Sequence, residues 1–183
     1  MGSHAQLIAT FVGVAVLIFW MLGAYNRLMR LRNQIGRTWE QLDIQLTRRT
    51  QALQELLRAL ADPFSSERSA LDSVTEAQEL LVESLEAVRN RPAQARSVSD
   101  LSSALTRLEP ALTRLLALLE HQPRLRELPE VEQPRNELLD VAARMPYARQ
   151  VFNEAVQAYN EAVRQWPTRV LTGLFHFEPA GSL

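Results

Sequence analysis

Apolar and polar residues alternate along this chain in two different ways. Residues 5–24, AQLIATFVGVAVLIFWMLGA, hold no charged side chain. As a helix these twenty residues rise about 30 Å, the thickness of a bilayer hydrocarbon core. From Leu28 the pattern becomes a stripe. Leu28, Leu31, Ile35, Trp39, Leu42, Leu46, Leu53, Leu56 and Leu60 recur at steps of three or four, with one place skipped at Arg49. That spacing predicts an amphipathic helix. No proline precedes Pro63, so the apolar helix is expected to run on into the striped one, to about residue 61.

Three more stripes follow. DPFSSERSALD reads as a turn, with Ser65 or Ser66 as the N-cap of a helix over about 66–90. Leu71, Val74, Leu81, Leu85 and Val88 form its inner face. Pro92 stops that helix, and Ser97 or Ser99 is placed to cap a third over about 98–121, striped by Leu101, Leu105, Leu108, Leu112, Leu115 and Leu119. Residues 122–134 hold three prolines and read as a connection. A fourth helix over about 135–165 carries Leu138, Val141, Met145, Ala148, Phe152, Val156, Tyr159 and Val163. Pro110 and Pro146 fall inside their stripes and are expected to kink or split those helices.

Short connections make neighbouring helices antiparallel. The expectation is an all-α fold: an N-terminal transmembrane helix (anchor and short N-terminus, 1–24) continuing into an up-and-down four-helix bundle (25–165), then an apolar, aromatic tail near the membrane (166–183). Glycine placement agrees, since none lies between Gly36 and Gly173. A sheet of this size needs turn glycines there, and so does a phosphate-cradling loop.

Charge sets the topology. MGSH contains no arginine or lysine, and Trp20-Met21-Leu22 is a poor cleavage site, so the apolar segment reads as an uncleaved anchor rather than a signal peptide. Arg27, Arg30, Arg32 and Arg37 follow it closely. The positive-inside rule then puts the short N-terminus outside and the C-terminal domain in the cytoplasm of a bacterial inner membrane. Trp20, Tyr25, Arg27, Arg30, Arg32, Trp166, Phe175 and Phe177 are the residues expected at the membrane interface.

The matching motifs come next. YNRLMRLRNQIGRTWEQLDIQLTRR (25–49), ARMPYARQVFNEAVQAYNEAVRQWP (143–167) and GLFHFEP (173–179) resemble the LemA family of bacterial proteins. The first signature falls on Tyr25, Asn26, Trp39, Asp43, Ile44, Gln45, Leu46, Arg48 and Arg49. The second is two aromatic–asparagine pairs seven apart, Phe152-Asn153 and Tyr159-Asn160. After the paired arginines the family usually continues with proline-asparagine; here Gln54 and Glu55 stand there, and Pro146 is also unusual. The resemblance implies a single-pass protein with a cytoplasmic helical bundle and no settled enzyme activity, some relatives being tied to membrane organelle formation or envelope stress.

Chemistry is sparse. There is no cysteine, and the three histidines, His4, His121 and His176, form no Glu-x-x-His pair for a bundle metal site. Neither cofactor nor metal is expected, nor any catalysis. The net charge of −1 gives no basic face for nucleic acid. What remains is polar punctuation on apolar helices: Asn26, Asn33, Trp39, Asp43, Arg48, Arg49, Asn153, Tyr159 and Asn160 as packing or interaction residues. The asparagines read either as a solvated face or as hydrogen-bonding links between the first and last helices. Asp43, Arg48 and Arg49 read either as a surface charge cluster or as a buried or interfacial network, in which Asp43 and Arg49, six apart and so not on one face, need a partner helix or subunit for the second contact. The expected function is a membrane-anchored scaffold or interaction protein that contacts membrane lipids, self-associates as a homo-oligomer or recruits an unidentified protein partner, and organises or remodels the membrane. The alternative is a sensor or accessory subunit coupling a membrane state to a cytoplasmic enzyme.

Overall fold

A computed structural model describes residues 2–165, 168, 169, 175 and 177–183. Among them there are five α-helices and no strand. They are α1 (Gly2–Leu60), α2 (Arg68–Asn90), α3 (Ala95–Glu120), the single turn α4 (Pro123–Arg126) and α5 (Pro129–Arg164), with a 3-10 turn at Ser65–Glu67.

The long α1 is unbroken over 59 residues. Its first half is bare: Phe11 and Phe19 are each 74% exposed, and only 6% of the apolar window is buried. Length and composition suffice for this helix to cross a membrane. Its second half is buried as the stripe requires, with Leu28, Ile35, Leu46, Leu53, Leu56 and Leu60 fully enclosed and only Leu31 half-buried. The stripes of α2, α3 and α5 join the same core. Leu105 and Met145 pack at its margin.

Helix α1 packs along α5, and α2 along α3; α1 also touches α2. Partners on α5 run in reverse order along α1. Arg27 meets Gln165, Trp39 meets Phe152 with ring centroids 5.8 Å apart, and Arg48 meets Glu137. The same reversal holds between α1 and α2, where Asp43 meets Arg89 and Thr50 meets Gln78.

Helices α3 and α5 run on through Pro110 and Pro146 without a split. Two local expectations are corrected. Helix α5 starts six residues early, at Pro129, and takes in Pro134. Proline suits a first helical position because its missing N–H has no partner there anyway, and Glu130 and Glu132 in the first turn favour the helix dipole. The serine caps are also absent: the N-cap residues of α2 and α3 are Glu67 and Gln94, without side-chain cap bonds. Ser97 instead donates to the Gln94 side chain at 3.2 Å.

Candidate functional site

Asp43, Arg48 and Arg49 lie on one helix and point to three others. At about 100° per residue they stand roughly 140°, 100° and 120° apart around α1. Each therefore meets a different neighbour. The Arg89 guanidinium of α2 donates to both Asp43 carboxylate oxygens, at 2.9 and 3.1 Å, and to Thr47. Arg48 Nε donates to Glu137 at 2.7 Å and its Nη2 to Asp140 at 3.0 Å, both on α5. Its pKa is raised, first by the bond to Glu137. Arg49 donates to Glu109 of α3 at 2.9 Å. Arg49 explains the skipped place in the stripe: it is only 8% exposed and occupies the core position itself, its methylenes packed and its charge paired at the rim. Asp43 and Arg49 thus find separate partners on two other helices of the same chain.

The second motif does something the sequence did not suggest. Asn153 and Asn160 do not join α5 to α1. Each side-chain amide closes a two-way bond with the backbone of one residue in the C-terminal segment. Asn160 donates to the Ala180 carbonyl at 2.9 Å and accepts from its N–H at 2.8 Å. Asn153 donates to the Leu183 carbonyl at 2.6 Å and accepts from its N–H at 2.9 Å. Tyr159 adds a bond from its hydroxyl to the Glu178 carbonyl at 3.1 Å. Burial raises the Tyr159 pKa, the charge of Arg32 opposes this, and Glu178 reinforces it.

Spacing makes the ladder possible. Seven residues of α-helix rise about 10.5 Å, and three residues of extended chain cover about 10 Å, so rungs seven apart on α5 match residues three apart in the tail. Gly181 lies between the rungs, where a Cβ would come within 2.9 Å of the Ala95 backbone at the start of α3. Only glycine permits that approach. Phe177 and Ala180 are buried. Leu183 packs half-buried against the core and, with Leu42, Leu105 and Met145, lines a small hollow of about 100 Å³.

Expected interface residues therefore divide. Phe177 is not left for lipid: it is 8% exposed and packs on Tyr25 at 5.9 Å between ring centroids. Phe175 also meets Tyr25, at 5.3 Å, yet remains half exposed. Trp20 is partly exposed on α1. Arg27, Arg30 and Arg32 are exposed, and Arg27 reaches Gln165. Trp166 lies outside the described residues. Asn26 and Asn33 are exposed on α1, Asn33 beside a polar hollow that also holds Arg32, Arg37 and Arg91 with Glu40 and Glu178. Trp39 is in the core.

Beyond the Leu183 hollow, α3 and α5 leave an open cleft of about 700 Å³. Leu112, Leu116, Leu138, Val141 and Met145 line it, and Arg49 and Arg149 stand at its polar side. That volume is typical of ligand pockets. Among the described residues no three histidine, aspartate or glutamate side chains gather to hold a metal ion.

The arrangement is that of an all-helical protein whose apolar N-terminal helix feeds a helical domain strapped by its own C-terminal segment. The chain belongs to the LemA family, whose sequence profile matches residues 38–183. No curated protein matches the chain.

Proposed function

We propose that this protein is a membrane-anchored, non-catalytic scaffold of the bacterial inner membrane. The first half of α1 spans the bilayer with the N-terminus outside. Its second half forms, with α2, α3 and α5, an antiparallel up-and-down four-helix bundle on the cytoplasmic face, which self-associates and organises membrane. One observation carries this reading: the apolar half of α1 is almost wholly bare, while the same helix buries its stripe from Leu28 onward. Apolar surface of that extent needs an apolar surrounding, and a bilayer matches its length. The arginines that follow it favour the cytoplasmic side.

Two measurements test it. Protease added outside intact cells should leave the helical domain whole; digestion there reverses the topology. The size of the full chain in mild detergent should exceed that of one copy. A chain that stays single and enlarges only with a second protein supports the sensor reading, which the unbroken α1 favours because a continuous helix transmits movement.

A further inference from the structure

We infer that the asparagine ladder of α5 is an exchangeable seat for an extended peptide, and that its occupant in the assembled protein is the C-terminal segment of a second copy. The inference rests on the proposed self-association and specifies how copies join.

Four features define what the seat accepts. Both rungs bind main chain through N–H and C=O together, which fixes an extended segment without reading its side chains. The approach to Ala95 admits only glycine at the place of Gly181. Ala180 is buried just before it, so that position takes a small residue. Leu183 packs half-buried against the core and shares the wall of a small hollow with Leu42, Leu105 and Met145, so the position two residues after the glycine favours an apolar side chain. The required pattern is small–Gly–x–apolar, with a buried aromatic three places earlier. Phe177, Ala180, Gly181 and Leu183 satisfy every term, so an identical chain presents a fitting ligand.

Exchange is geometrically simple. The rungs sit on α5 and the glycine contact on α3, so the seat is complete in one copy without any residue of the tail. The tail leaves the end of α5, and twelve residues separate Arg164 from Phe177, at most roughly 40 Å of chain. Anchors of equal length hold the seats of neighbouring copies at one height above the bilayer. Swapping an identical segment replaces each contact by its equivalent, so it needs no new interface chemistry.

The absence of cysteine allows a direct test on the full chain. One copy carries Leu183→Cys, and a second copy, distinguishable by size, carries Leu105→Cys. Both positions line the same hollow, within reach of a short bismaleimide. The two are co-expressed, extracted in mild detergent and treated with the reagent. The expected result is a covalent pair joining the two sizes. Its yield should fall roughly tenfold or more when the Leu105→Cys copy also carries Asn153→Ala and Asn160→Ala, since four clamp hydrogen bonds are lost. Gly181→Val in the Leu183→Cys copy should do the same while leaving the receiving seat intact. Oligomers without the mixed pair overturn the exchange but keep the scaffold. A pair whose yield ignores both sets of changes reports proximity alone and also overturns it. Single copies by size, with no mixed pair, overturn both readings.

Discussion

The two halves of α1 are one continuous helix with two kinds of surface. Before Tyr25, large apolar side chains stand open all round: Ile8 is 65% exposed, Val16 63% and Phe19 74%. After it, the stripe residues keep to one face and all but Leu31 are enclosed, while Ile44, off the stripe, stays 58% exposed. The backbone is the same, and the difference lies in where the charges are. A segment with no polar face has no stripe to turn inward, and its large described side chains stand open; a segment with a polar face turns its stripe inward. Helix formation alone therefore says little about what a helix meets. The angular distribution of its polar residues says most of it.

Substitutions in the two halves should fail in different ways. Trp39→Ala removes a buried ring packed edge-on to Phe152, and should cost about 3–5 kcal/mol in unfolding followed by circular dichroism in detergent. A loss under about 1 kcal/mol would mean the stripe does not face a core. Val14→Arg, near the middle of the apolar half, should oppose membrane insertion by about 2.5–3.5 kcal/mol, read as the fraction extracted by alkaline carbonate. Unfolding of the helical domain should stay unchanged; a lower domain stability would show that the two halves are coupled. Arg49→Ala is expected to cost about 1–2 kcal/mol, through lost packing and the bond to a Glu109 that is itself mostly exposed. Asp43→Asn, in a more open pair with Arg89, should cost under about 1 kcal/mol, and less again in high salt.

The smallest expected effect depends on pH. Burial raises the Tyr159 pKa above its ordinary 10.0, so the folded protein favours the neutral hydroxyl. Its contribution is complete below about pH 10 and is lost as pH rises beyond that toward the higher folded value. Alkaline titration of stability should therefore decline more gently in Tyr159→Phe than in the original chain. Equal slopes would mean that Tyr159 ionises as readily folded as unfolded.

Much of the fold was legible because helical stripes are a local signal. Of the nine stripe positions from Leu28 to Leu60, only Leu31 is not buried, and the helix ends fall within a few residues of expectation except at Pro129. That miss came from treating three prolines as one connection, when proline in a first turn starts a helix as readily as it stops one. The site was less legible. Asp43, Arg48 and Arg49 announced contacts on separate faces, but nothing local named Arg89, Glu109, Glu137 or Asp140 as partners 46 to 92 residues away. The two aromatic–asparagine pairs are visible as a repeat of seven, a spacing that suits a solvated face or a seam between helices equally. Their real partner is backbone, which carries no sequence signature.

The length of α1 past the anchor has a mechanical consequence. From Tyr25 to Leu60 the helix extends about 54 Å without a proline, and its far end carries the 3-10 corner at Ser65–Glu67. With its root set in a bilayer as proposed, it is a lever. A thinner membrane tilts a long span, and a tilt of about 20° would carry that far corner roughly 18 Å sideways. Because α5 lies along the same rod with its end near the root, the strap seat close to residues 153–160 would travel much less than the corner. Membrane thickness would thus be written as displacement at one end of the domain, while the tail and its seat stay near the pivot.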